Sequence, residues 1–222
     1  MKKILSIIVV FFPWKIKRYL LIKIWKYEIH PSAKIGIAYI FPQKLIMKEG
    51  SKIEHLNVAI NLQSVTLNKN ASINRSNWIT GFPVNTESAH FKHQMDRESK
   101  LILDDEASIT KKHHIDCTNS IIIGKYSVIA GYSSQLLTHS INIIENRQDS
   151  LPIIIGDYCF VGTNCVILGG AKLPSNSVLG AKSLLNKQFT EEYHLYGGNP
   201  AKQIKLLPKD TKFFKRKSRY TI

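Results

Sequence analysis

His139 ends the segment Gly131-Tyr132-Ser133-Ser134-Gln135-Leu136-Leu137-Thr138-His139, at the edge of a polar stretch spanning 140–152. Imidazole titrates near neutrality, so a histidine at a loop edge is suited to take the proton from a hydroxyl as it attacks a carbonyl. His139 is therefore the candidate general base. His113 and His114 form a second cluster, after Lys111-Lys112 and before Ile115-Asp116-Cys117. Together with Ser133 and Gln135, His113 is a candidate to line the substrate pocket. Asp116 and Glu145 are near His139 in the chain, but proximity alone gives neither an orienting role. The pair His90-x-x-His93 has no third ligand nearby, so it reads as two solvated loop histidines and no metal is expected. Cys117, Cys159 and Cys165 are odd in number and contain no C-x-x-C pair, which points away from a disulfide framework or a thiolate zinc site and toward a reducing compartment. No Ser or Cys nucleophile is implied.

The elements that must hold these residues announce themselves by a period of six. From Ile155 the chain reads Ile155, Val161, Ile167, Leu173, Leu179 and Leu185, and four places after each of the first five stands a small residue: Cys159, Cys165, Ala171, Ser177 and Ser183. The same beat runs upstream through Ile29 and Ile35, Met47 and Ile53, Leu67, Ile73 and Ile79, then Leu103, Ile109, Ile115 and Ile121, with a two-residue slip before Ile123 and Ile129. Six is neither the helical 3.6 nor simple alternation. One inward aliphatic per hexad implies short strands joined by turns, with a small residue where the chain rounds a corner. Three hexads make one triangular turn, and stacked turns make a parallel β-helix with a narrow aliphatic core. Cys159 and Cys165 are corner residues on this reading. If the phase holds across the slip, His113 lies beneath Ser133 and His139 above Asn119, at different corners.

Two segments interrupt the beat, 81–100 and 140–152. A regular solenoid with long polar insertions is expected to use them, and both are expected to project from corners and shape a pocket.

The repeat resembles that of the hexapeptide-repeat acyltransferases, of the maltose, galactoside and polysaccharide O-acetyltransferase type. That resemblance implies an all-β, left-handed parallel β-helix over 29–204, a homotrimer, and acetyl-CoA as acyl donor. It also implies a sugar or glycan hydroxyl as acceptor and His139 as the base of a direct transfer. Thr138-His139-Ser140-Ile141 departs from the commoner His-Pro form of the catalytic segment, which leaves the acceptor class open. Phe160-Val161-Gly162-Thr163, Leu179-Gly180-Ala181-Lys182-Ser183 with Lys187, and Gly197-Gly198-Asn199-Pro200-Ala201-Lys202 look like segments that line the family's coenzyme A site. By that resemblance Gly162, Thr163, Gly180 and Ala181 would flank the pantetheine, and Lys187 and Lys202 would meet the phosphates. Transfer to an amino sugar, a serine acetyltransferase, a metal-dependent carbonic anhydrase and a catalytically silent trimeric scaffold remain alternatives that the same repeat allows.

The charge sits at the ends. Residues 1–27 hold seven Lys/Arg and no acid, 28–204 hold seventeen basics and fifteen acids, and 205–222 hold seven basics and one Asp, summing to the net +15. Basic ends on a neutral body suit an anionic membrane surface or an acidic polymer, the membrane being favoured, rather than the groove-tracking surface of a nucleic-acid-binding fold. Ile4 to Phe12 is too short to span a bilayer, which takes roughly 20 apolar residues, and no small-x-small cleavage pattern follows it. From Trp14 to Tyr27 a helical projection gathers Lys15, Arg18, Lys23 and Lys26 into one sector, with Lys17 the exception. The segment 1–28 is thus expected to anchor at a membrane interface, to cap the domain, or both. The tail 205–222 lies outside the repeat, and the location expected is cytoplasmic, peripheral on the inner membrane face.

Overall fold

The computed structural model describes residues 2–84, 86 and 88–218. Seven triangular coils, at 28–41, 44–60, 64–80, 100–116, 121–137, 153–168 and 172–185, stack into a parallel β-helix with three sheet faces. Each face is built by one strand per coil in register with the strand below. On one face Ile35, Ile53, Ile73, Ile109, Ile129, Val161 and Leu179 pair in succession. All are buried, and this column with its counterparts on the other two faces forms the core. The two-residue slip has a simple cause: the strand Ile121–Ile123 points both Ile121 and Ile123 inward, as alternation in a three-residue strand requires.

The corners explain the small residues. Ala33, Ser51, Ala71, Ala107, Ser127, Cys159 and Ser177 are all buried where the first face turns into the second. At the next corner the buried column runs Asn57, Asn77, His113, Ser134, Cys165 and Ser183. Polar groups there are stitched vertically. The His113 amide donates to Asn77 Oδ1 at 2.9 Å, and the Ser134 amide donates to His113 Nδ1 at 3.1 Å. The Cys165 amide donates to Ser134 Oγ at 3.1 Å. Burial pushes the Cys159 thiol up to about 12, and all three cysteines are free and buried, as corner and core residues.

Both insertions leave from the third corner, where one coil passes to the next. The stretch after Thr80 follows the third coil, and the stretch after Leu137 follows the fifth. The second folds as an antiparallel hairpin, His139–Asn142 against Arg147–Ser150. At the far end the hairpin His194–Gly198 and Ala201–Leu206 extends the second face, so regular structure continues past 204 and the 205–222 tail begins inside a strand. The tail then seats the buried Phe214 of a short turn, Lys212–Lys215.

At the near end, helices α1 (Lys2–Val9) and α2 (Trp14–Trp25) lie on the first coil. Val9 and Leu21 join the core cluster, and Lys26 at φ 61° turns the chain into the first strand. Lys17, the exception in the helical projection, is buried because it serves the cap. Its Nζ donates to the carbonyls of Gly36 at 2.6 Å and Val10 at 3.3 Å, and burial lowers its pKa to about 8.

Candidate active site

His139 is the first residue past the third corner of the fifth coil, and the residues around it come from three levels. Directly below, Asp116 ends the strand His114–Asp116 and pairs with Leu137. Its Oδ2 accepts a hydrogen bond of 2.7 Å from His139 Nδ1. The same carboxylate is fixed by the Thr118 hydroxyl at 2.7 Å and the Thr138 amide at 3.2 Å. Burial pushes the Asp116 carboxyl up, and the bonds from His139, Thr118 and Thr138 outweigh it, so it stays below the usual carboxylate range. For His139 the bond to Asp116 dominates and raises the imidazole pKa, against partial burial and the Arg97 charge. The imidazole side chain is 42% exposed and the carboxylate 8%. A buried anion under a half-open histidine fixes the Nδ1–H tautomer, leaving Nε2 free to accept a proton.

Asp116 is the partner that sequence proximity could not select; Glu145 lies out on the exposed hairpin. The expected stacking of His139 above Asn119 and His113 beneath Ser133 is off by one. The corner Gly131-Tyr132-Ser133-Ser134 carries one residue more than the corner below it, so His114 pairs with Gln135, and His113 lies under Ser134. Gly131 and Ser133 take the positive φ angles, 71° and 58°, that accommodate the extra residue. Asn119 still reaches the site, its amide donating to Thr138 Oγ1 at 2.9 Å.

The two insertions meet over this corner. Phe91 of the first stands edge-on to the His139 ring, centroids 6.2 Å apart at 87°. The Arg97 guanidinium lies 4.5 Å from the Phe91 ring centroid and donates to the Phe82 and Thr118 carbonyls. His93, read in sequence as a solvated loop histidine, instead bonds Asp149 of the hairpin at 2.6 Å. Beside it the Gln94 side chain pairs with the Ser150 backbone, donating to its carbonyl at 2.8 Å and accepting from its amide at 3.0 Å. A cavity of about 450 Å³ opens at His139, lined by Ser140, Asp149, Leu168, Gly169 and Asn186 among others. Gly169 is required there, since a Cβ would stand 2.5 Å from the Thr138 carbonyl oxygen. Among the described residues no group of three or more His, Cys, Asp or Glu is placed to hold a metal.

The remaining expected site residues divide into those at this corner and those elsewhere. His113 is 2% exposed; its Nδ1 accepts from the Ser134 amide and its Nε2 is 3.0 Å from Thr110 Oγ1. With both ring nitrogens engaged inside the coil, it has none to offer a substrate, and the pocket role expected for it is corrected to a structural one. Ser133 and Gln135 are exposed, at the opposite end of the strand Gln135–Leu137 from His139, so one chain does not bring them to its own base. Gly162 and Gly180 stack one coil apart as their spacing implied, the Gly162 amide donating to the Leu179 carbonyl at 2.8 Å. A Cβ on Gly162 would stand 2.6 Å from the Ala181 nitrogen. Gly197 continues that stripe above Gly180, held by the hairpin that carries Lys202 opposite Gly197. The Thr163 hydroxyl is taken up within the corner, receiving the Tyr132 amide at 3.1 Å. Lys187 and Lys202 are both exposed, Lys187 lying 5.1 Å from the Phe189 ring centroid.

No family model matches the chain. It is similar to a chloramphenicol acetyltransferase of Klebsiella aerogenes, 38% identical over 52 residues, 23% of this chain. The chain spans about a quarter of the length of that curated relative, 24%. Among solved structures it is similar to the hexapeptide-repeat acetyltransferase VCA0836 of Vibrio cholerae in complex with acetyl coenzyme A. The TM-score is 0.51 at 22% identity, covering 64% of this chain and 70% of that one. It is also similar to the polySia-specific acetyltransferase NeuO, with a TM-score of 0.52 at 20% identity over 84% of each chain. The expected architecture is thereby confirmed, and this chain is built on the left-handed parallel β-helix of the hexapeptide-repeat acetyltransferases.

Proposed function

We propose that this protein is an acetyl-CoA-dependent O-acetyltransferase that acts on a sugar hydroxyl of a glycan by direct transfer. The observation that carries the reading is the His139–Asp116 pair, a half-exposed imidazole whose Nδ1 donates at 2.7 Å to a buried carboxylate, opening on the cavity between the hairpin insertion and the Leu168-Gly169 corner of the next coil. The fold likeness to acetyltransferases, one of them in complex with acetyl-CoA and one specific for polySia, supports donor and acceptor class.

The chemistry asks little beyond what these residues supply. The acceptor hydroxyl attacks the thioester carbonyl while Nε2 of His139 takes its proton. The imidazolium that forms is stabilised by Asp116, which stays ionised. Collapse of the tetrahedral intermediate expels the coenzyme A thiolate, which recovers the proton from Nε2, leaving the ester and the free base. No covalent enzyme intermediate is needed. The stacked Gly162, Gly180 and Gly197, with Ala181 and Thr163 beside them, form a strip where the pantetheine arm lies close to backbone. Lys187 and Lys202 meet its phosphates.

The glycine strip and His139 occupy different corners of one chain. A homotrimer, with one chain's glycine corner against its neighbour's His139 corner, would complete each site and bring Gln135 and Ser133 to the neighbour's acceptor. We take the reaction to be cytoplasmic, since acetyl-CoA is a cytoplasmic metabolite, and nucleic acid has no part in it. Release of coenzyme A from acetyl-CoA in the presence of glycan acceptors tests the reading. Thiol release should be acceptor-dependent and fall roughly 10²- to 10⁴-fold in His139→Ala while the oligomer persists; near-normal turnover in that variant refutes the mechanism.

A further inference from the structure

We propose that the outer face of α1 and α2 docks the protein on an anionic lipid surface. In α1 an apolar stripe faces solvent. Ile4, Ile7 and Ile8 follow helical spacing, continued by Phe11 in the turn, and they are 68%, 57%, 47% and 70% exposed. Phe12, Ile16 and Tyr19 extend the same exposed surface onto α2. The coil-facing side of the two helices meanwhile buries Ser6 and Lys17. Ser6 Oγ lies 2.9 Å from the Tyr39 hydroxyl and donates to the Lys3 carbonyl at 2.7 Å, and Lys17 caps the carbonyl of Gly36. The domain therefore already has its cap, built from Val9 and Leu21, from Leu5, Trp14, Leu20, Ile22 and Trp25 packed against the core, and from these polar contacts, and the exposed apolar residues are surplus to it.

Contiguous exposed apolar residues of this kind mark an interaction surface, and their charge setting names the partner. Lys2, Lys3, Lys15, Lys23 and Lys26 are exposed around the patch, and residues 1–27 contain no acid. Apolar and aromatic groups ringed by lysines fit the headgroup boundary of an anionic membrane, where the apolar residues enter the interface and the ammonium groups meet lipid phosphates. Two copies paired through this face would set lysines against lysines, which disfavours self-association here. Among the described residues no helix is long and apolar enough to cross a membrane, so the contact proposed is interfacial. The cap closes the first coil and His139 ends the fifth. Four coil spacings of ~4.8 Å put the site roughly 20 Å along the solenoid axis from the lipid-facing cap.

The full chain should co-sediment with phosphatidylcholine vesicles that contain phosphatidylglycerol and do so weakly with phosphatidylcholine alone, with added salt reducing the bound fraction. Ile7→Ser/Phe11→Ser and, separately, Lys2→Gln/Lys3→Gln/Lys15→Gln should each lower vesicle partition at least about tenfold, since each basic residue near an anionic surface contributes roughly that factor or a little less. All the substituted side chains are exposed, so the variants should keep the wild-type melting temperature and oligomer size. Unchanged partition in either variant overturns the proposal. So does an Ile7→Ser/Phe11→Ser variant that sediments as a smaller oligomer than wild type, because a second copy would then cover the face.

Discussion

Asp116 accepts a hydrogen bond of 2.7 Å from His139 Nδ1 from one coil below, at a corner where both insertions converge. The pair sets the pH dependence expected of transfer. His139 must be neutral to act as base, and its pKa is raised by Asp116, so the rate should rise with pH through a value above that of ordinary imidazole. In Asp116→Asn the charge is lost, and the ascending limb should move to lower pH while kcat falls about 10²-fold. A pH–rate profile of that variant with an unmoved limb would remove Asp116 from the mechanism.

His113 has the opposite bias and a different consequence. Burial lowers its pKa to about 4, whereas the unfolded imidazole titrates near 6.5. Between those values the unfolded chain binds a proton that the folded chain refuses, so stability rises with pH and is lost as pH falls from about 6.5 toward 4. The loss should amount to no more than about 3 kcal/mol. His113→Asn, which repeats the residue type of Asn57 and Asn77 in the same column, should flatten urea-unfolding stability across that window even if it lowers stability at pH 7. An unchanged acid slope would mean that the proton is taken up elsewhere.

The difference between these histidines shows how far the sequence could be read. The period of six determined the strands, the buried columns at Ile109 and Ile129, and the corner placement of Cys159 and Cys165, because burial of one aliphatic per strand is a local requirement that repeats. It could not separate His113 from His139, since both follow strands in register and the distinction is whether a ring points into the corner or out of it. Asp116 was obscured by one extra residue at 131–134, which lengthens the step from Ile129 to Leu136 to seven and shifts the stacking between the two coils by one. The contacts of Phe91, His93 and Gln94 with the hairpin join segments that no repeat relates, and nothing in their spacing announced them.

Lys187 and Lys202 are proposed to meet the phosphates of coenzyme A, and their exposure makes them clean to test. Lys187→Gln/Lys202→Gln should raise KM for acetyl-CoA roughly tenfold with kcat little changed, the signature of binding lost equally in ground and transition states. Dephospho-coenzyme A derivatives should lose part of that difference. A normal KM in the double variant would remove both lysines from the donor site.

Gln94 ties the first insertion to the hairpin through a paired contact with the Ser150 backbone, and Ser150 borders the His139 cavity. Exposed ion pairs contribute little on their own, so the adjoining His93–Asp149 contact, with side chains 30% and 31% exposed, should matter less than Gln94, whose bonds satisfy backbone groups. Gln94→Ala should therefore open the segment 81–100 to limited proteolysis, and His93→Ala should do so weakly. Because Phe91 in that segment walls one side of His139, Gln94→Ala should also raise the acceptor KM and leave the acetyl-CoA KM unchanged. Equal rises in both would mean that the clasp supports the whole corner rather than the acceptor side alone.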